Sequence, residues 1–189
     1  MSLLGSGANA DAGTQGMVDD KECVPYRMFE IPHASSGSTS ERYAKILESL
    51  AMITVGESNL IANLANTASI LYRSLPDVLW AGFYLYDGTE LVLGPFHGNP
   101  ACIRITMGRG VCGYAASERM TVLVPDVLVF PGHIACDALT KSEVVVPLVH
   151  NGELIGVMDL DSPLLDRFSN EDADGLERIA QLLMSRMPA

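Results

Sequence analysis

The 189-residue chain is 48% hydrophobic and 19% charged, which provides for one domain with a sizeable core plus an appendage and leaves little for a second full domain. Its formal net charge of -11, with no basic run, opposes binding to a phosphate backbone or an anionic membrane surface. No stretch approaches the roughly 20 apolar residues of a membrane span, and the start, MSLLGSGANADAGTQG, has neither a basic nor an apolar signal region, so the expectation is a soluble cytoplasmic protein.

Residues 1 to about 20 are rich in Gly, Ala, Ser and Asp and bury little; with SSGSTS near 35–40 they suggest a flexible tail over 1–37 and a domain over 38–189. Ser40 is placed to cap a helix through ERYAKILESLAMI, with Tyr43, Ile46, Leu47 and Leu50 at helical spacing. A second helix, ESNLIANLANTASILYRSL, puts Leu60, Leu64, Thr67 and Leu71 on one stripe and stops at Pro76. WAGFYLYD then alternates as a strand, turns at Asp87-Gly88 and returns as ELVLGPF. Further strands are predicted in CIRITM, TVLVPD, EVVVPLVH and ELIGVMDLD, with a short helix in GRGVCGYAASER and a last helix after the N-cap Ser169. Helices, then hairpin-connected strands, then a helix describe an α+β domain with a mainly antiparallel sheet.

The hairpin VHNGEL leaves two registers open. A two-residue Asn151-Gly152 turn sets Glu143 opposite Leu160; a three-residue turn with Gly152 in a bulge sets Glu143 opposite Asp159, with Asp161 further along the same face. Only the second gathers three carboxylates. Such a patch beside the apolar LIGVM requires a cation or a retained proton, and a small amine ligand meets that need. A strand end emerging into solvent is the plainer alternative.

Four cysteines in a chain of this composition point to redox chemistry rather than a secreted disulfide framework. Cys136 sits in GHIACDALTKSE among polar groups, as in a loop over the sheet. Cys102 follows the loop-like HGNPA, and two loop cysteines can form a disulfide after one is oxidised. Cys112 reads as a packed residue at a helix start, where amides can also lower a thiol pKa; Cys23 lies outside the domain. The spacing of Cys102, Cys112, His133 and Cys136 departs from structural zinc patterns, so no metal and no cofactor are expected. His133 reads as a loop-packing or hydrogen-bonding residue before a general base.

The run LGPFHGNPACIRITMGRGVCGYAA, followed by VPDVLVFPGHIACDALTKSEVVVPL and LIGVMDLDSP, resembles the free methionine-(R)-sulfoxide reductases, a branch of the GAF-domain proteins, over about residues 40 to 187. The resemblance implies a six-stranded antiparallel sheet with helices packed on one face and a loop-covered pocket on the other, in a homodimer packed through helices. It implies Cys136 as nucleophile, Cys102 as resolving cysteine and Cys112 as an alternative resolver. Glu143, Asp159 and Asp161 correspond to its acidic substrate cradle, and Trp80 and Tyr84 to aromatic residues of its pocket. By strand alternation Trp80 and Tyr84 share a face with Gly82, which leaves room between them; core packing is the alternative reading of that pair.

The function so implied is thiol-dependent reduction of free L-methionine (R)-sulfoxide to L-methionine through a cysteine sulfenic acid and an intramolecular disulfide, recycled by a thioredoxin-type dithiol. Either Glu143 or one of the two aspartates protonates the departing oxygen. The acids would raise the pKa of a nearby thiol, and a bound ammonium would offset them. A non-enzymatic GAF sensory module binding a small molecule is the main alternative, and its usual phosphate ligands would find this pocket acidic. A zinc protein using Cys102, Cys112, His133 and Cys136 is the third.

Overall fold

The computed structural model describes residues 37–134 and 137–188, so the tail expected over 1–37, save its last residue, lies outside the described residues, as do Cys23 and Cys136. Two helices open the fold, α1 (Thr39–Ile53) and α2 (Leu60–Ser74). The cap of α1 is Ser38, not the expected Ser40. Its hydroxyl accepts from the Glu41 amide while the Glu41 carboxylate accepts from the Ser38 amide, a reciprocal pairing that Ser40, with Tyr43 three positions on, has no carboxylate to make. Asn59 caps α2, and the predicted stripe of Leu64, Thr67 and Leu71 is buried.

Six strands follow the helices: β1 (Trp80–Tyr86), β2 (Glu90–His97), β3 (Arg104–Thr106), β4 (Val122–Val124), β5 (Ser142–His150) and β6 (Glu153–Ser162). They form one antiparallel sheet in the order β3-β2-β1-β6-β5-β4. Helix α3 (Gly110–Glu118) separates β3 from β4, and α4 (Asn170–Met184) closes the chain. Among the described residues no helix is long and apolar enough to cross a membrane.

Alternation along the central strands builds two cores. One face of the sheet, with Phe83, Val144, Val146 and Met158, is covered by Ile46 and Leu50 of α1, Leu71 of α2 and Leu176 of α4. Each such side chain contributes about 1.5–3 kcal/mol through burial. A buried polar cluster ties the outer helices together: the Tyr43 hydroxyl donates to Asp172 Oδ1 at 3.1 Å, and Arg167 Nη1 donates to both carboxylate oxygens at 3.3 Å. The opposite face, with Tyr84, Val145 and Val157, is covered by Val111, Cys112 and Ala115 of α3. Three of the four helices therefore share one face as expected, and the short α3 lies on the other, the side expected to carry the loop-covered pocket.

The β5–β6 hairpin takes neither expected register throughout. Its turn is the two-residue Asn151-Gly152, with φ of 51° and 82°, so His150 pairs with Glu153. One step later the ladder shifts: Val149 pairs with Leu154 but Leu148 pairs with Gly156, which leaves Ile155 as an extra residue on β6. This bulge restores the parity that the turn alone would have inverted. Glu143 then lies opposite Asp161, with Val145 opposite Asp159. The three acids share a face, two positions away from the pairing that a three-residue turn would give.

Gly156 allows the close approach at the bulge, since a Cβ there would run into the carbonyl oxygen of Tyr84 on β1. Because the obstacle is backbone, Gly156→Ala is expected to lower stability by about 2–3 kcal/mol, read as a drop in the urea midpoint. A neutral outcome would mean that the bulge does not constrain the sheet.

Candidate active site

Pairing of β1 with β6 sets Trp80 opposite Asp161, Gly82 opposite Asp159 and Tyr84 opposite Val157. Together with the β5–β6 register this lines Trp80, Tyr84, Glu143, Asp159 and Asp161 along the α3 face. Glu143 and Asp159 are 6% and 5% exposed, deep for carboxylates. They border a cavity lined also by Ile105, Arg109, Cys112, His133, Ile134, Asp137 and Thr140. Its free space is small, about 30 Å³, room for roughly two water molecules.

Among the described residues none of the three acids has a basic partner within ion-pair distance; the ion pairs there are Arg104 with Asp87 and Glu90, and Arg167 with Asp172. Asp159 Oδ1 is buried without a hydrogen-bond partner among the described residues. Burial, then mutual repulsion, pushes Glu143 and Asp161 well above the ordinary carboxylate range. Burial pushes Asp159 up to about 7, although Cys112 and Glu143 nearby hold it lower than burial alone would. The cluster therefore retains protons near neutrality, as buried like charges must.

Helix α3 brings Cys112 into this cluster. Its Sγ lies 3.8 Å from Glu143 Oε1, and one donor atom each from Cys112, Glu143 and Asp159 lie within 4.8 Å of one another. Burial, then Asp159 and Glu143, pushes its thiol well above the ordinary value, so the helix-start amides do not make it a thiolate. Burial likewise raises the Tyr84 hydroxyl, with Asp159 next in effect.

Trp80 stands behind the cavity instead of lining it. Its ring stacks on Phe96 at 5.4 Å and Tyr84 at 5.8 Å between centroids, and Nε1 donates to the Asn99 carbonyl at 3.1 Å. The room expected over Gly82 is filled by the Trp80 ring and Phe96. Tyr84 alone of the pair reaches the cavity wall.

Cys102 and His133 sit on loops. Cys102, between β2 and β3, is disulfide-bonded, whereas Cys112 is a free thiol. Cys136 lies outside the described residues, yet the adjacent Asp137 is placed: its Oδ2 accepts from Asn99 Nδ2 at 3.0 Å, joining the 137–140 segment to the loop that carries Cys102. His133 lines the cavity, and partial burial lowers its imidazole pKa. Sequence reasoning did not select Arg109, a guanidinium among the lining residues, because an arginine between glycines reads as an ordinary exposed residue.

A family model for the GAF domain matches residues 59–187. The chain belongs to the GAF-domain family. Within that family its relatives include the free methionine-R-sulfoxide reductase of Escherichia coli (strain K12), 49% identical over 76% of this chain and 87% of that protein. The free methionine-R-sulfoxide reductase of Saccharomyces cerevisiae (strain ATCC 204508 / S288c) is 42% identical over 81% of this chain and 89% of its own. Among solved structures, the free methionine-R-sulfoxide reductase from Neisseria meningitidis in complex with its substrate is 44% identical, with a TM-score of 0.78 over 82% of this chain and 93% of that one. These similarities place this GAF domain in the branch that holds the free methionine-R-sulfoxide reductases.

The raised carboxyl pKa values carry a stability cost at neutral pH. Folded Asp159 keeps a proton that the unfolded chain sheds near its ordinary 3.8, so its contribution to stability is full below that value and is lost as pH rises through about 7. Asp159→Asn is expected to stabilise the ligand-free GAF domain by roughly 1–2 kcal/mol at about pH 8, with the gain shrinking at about pH 5. Urea denaturation at both pH values checks this; a gain equal at the two would exclude ionisation as the cause.

Proposed function

We propose that this GAF domain reduces free L-methionine (R)-sulfoxide to L-methionine, and that it does so in the cavity between α3 and the sheet. The observation that carries the reading is the convergence of three carboxylates, two of them buried and none with a basic partner among the described residues, on a cavity also lined by Cys112 and by His133, Ile134 and Asp137. The names borne by the relatives supply the substrate class. In this reading the substrate ammonium offsets the acids, Arg109 takes the substrate carboxylate and Tyr84 flanks the side chain. A phosphate-bearing signalling ligand would instead bring negative charge to three acids.

The chemistry needs a nucleophile at sulfur and a proton for the departing oxygen. The Cys136 thiolate attacks the sulfoxide sulfur, and the acid pair Glu143–Asp159, which retains protons near neutrality, protonates the oxygen. The sulfur–oxygen bond passes to Cys136, methionine leaves reduced, and Cys136 becomes a sulfenic acid. The Cys102 thiol then displaces water from it to give the Cys102–Cys136 disulfide, and a thioredoxin-type dithiol returns both thiols by exchange while it is itself oxidised. The Asn99–Asp137 hydrogen bond supports this pairing, since it ties the residue after Cys136 to the Cys102 loop.

Cys102 rather than Cys112 serves as resolver. Support comes from their environments: Cys102 already holds a disulfide, whereas Cys112 is buried and kept protonated by acids. The free space of about 30 Å³ is smaller than an amino acid, so the cavity walls move apart to admit substrate. We place the reaction in the cytoplasm and in a homodimer packed through helices; exposed Met52, Val55 and Ile61 around the α1–α2 connection support the latter. A monomer in sedimentation at working concentrations would remove that element.

Removing the ammonium should remove turnover. N-acetylated methionine sulfoxide is expected to fall at least roughly 100-fold in kcat/KM against the free amino acid, because the buried acids are then left uncompensated; equal rates would discard the acidic cradle. Thiol titration tests the chemistry itself. Adding free methionine-R-sulfoxide without reductant should consume two thiols in the parent and none in Cys136→Ser, and undiminished loss in the variant would reassign the nucleophile.

A further inference from the structure

We propose that Cys112, Glu143 and Asp159 form a binding site for one soft divalent cation of the Zn2+ and Cd2+ class. The three side chains come from three elements, α3, β5 and β6, and each offers a donor atom within 4.8 Å of the other two. In tetrahedral zinc geometry, with metal–sulfur near 2.3 Å and metal–oxygen near 2.1 Å, donors stand about 3.6 Å apart. The Cys112 Sγ to Glu143 Oε1 separation is 3.8 Å. Small side-chain shifts therefore suffice.

A second observation points to a ligand. Asp159 is 5% exposed, lines the cavity and leaves Oδ1 with no hydrogen-bond partner. A buried acceptor in that state costs about 1–3 kcal/mol or more until something donates to it or coordinates it. The adjoining space of about 30 Å³ accommodates an ion with one water but not an organic molecule. Three protein donors and a water complete four-coordination.

The donor set selects the ion. One sulfur and two carboxylates suit borderline and soft metals, whereas Mg2+ and Ca2+ require more oxygens and gain nothing from a thiol. On binding, the Cys112 thiol gives its proton to solvent, as does whichever carboxyl group holds one, and the thiolate and carboxylates coordinate the ion with no change of oxidation state. The site differs from the zinc set considered from sequence, since His133, Cys102 and Cys136 take no part. It shares Glu143 and Asp159 with the proposed reductase site and goes beyond that activity, because it uses the cluster as the ligand-free, disulfide-bonded chain presents it.

The test uses the full-length oxidised protein carrying Cys23→Ser, so that Cys112 is the thiol left to bind. Titration with Cd2+, followed by the ultraviolet charge-transfer band of a cadmium thiolate and by calorimetry, should give one equivalent bound. The band should vanish in Cys112→Ser. Asp159→Asn and Glu143→Gln keep the thiol and should each weaken binding at least roughly tenfold, with folding checked by circular dichroism. Absence of binding in the parent, or parental affinity in Asp159→Asn and Glu143→Gln, would overturn the site. A chain that binds Cd2+ as described but fails to turn over methionine sulfoxide would retain the metal site and lose the function proposed above.

Discussion

Setting three carboxylates on one sheet face, two of them buried, with no basic partner among the described residues is the constraint on which the rest of this molecule turns. The same chain shows what a satisfied buried aspartate looks like. Asp172 receives the Tyr43 hydroxyl, the Arg167 guanidinium, and the Ser169 amide and hydroxyl at 2.9 and 2.8 Å. Asp159, equally inaccessible, keeps one oxygen bare. Both environments arise in one fold, so the difference is not a failure of packing. The aspartate held at a structural junction is fully partnered, and the one held at a cavity leaves an acceptor open to it.

Geometry at the hairpin is what permits this. A two-residue turn is the favoured link between two twisted strands, yet used alone it would place Glu143 and the two aspartates on opposite faces. Inserting Ile155 repairs the face without altering the turn. The acids consequently end up on strands whose other face, with Val144, Val146, Met158 and Leu160, anchors the helical core. Repulsion among carboxylates is thus opposed by apolar burial on the reverse side of the same residues' neighbours, and the two faces are coupled through strand backbone.

Much of this was legible from residues alone. Alternation in WAGFYLYD, the Asp87-Gly88 turn and the apolar runs that follow located all six strands, and the N-cap Ser169 and the stop at Pro76 bounded two helices. The acid trio stood out because charges beside LIGVM cannot be idle. The bulge was not legible, since Ile155 is as good a strand residue paired as unpaired and the clash relieved by Gly156 involves β1, a long-range contact. Local propensity ranks Ser38 and Ser40 equally as caps; the partner Glu41 decides for Ser38. Trp80 and Tyr84 share a face, but only packing against Phe96 and Asn99 shows that one backs the wall and the other forms it.

Cys112 gives the last step. A helix start lowers a thiol pKa through its amides by a modest amount, whereas full burial beside two carboxylates raises it by more, and the sum here is a thiol that stays protonated. Such a group is a poor nucleophile and is shielded from oxidants, while Cys102 on its loop already carries a disulfide. Two cysteines ten positions apart are therefore separated in chemistry by environment rather than by sequence. The loop cysteine carries a disulfide; the helix cysteine is held as a neutral thiol beside the acids.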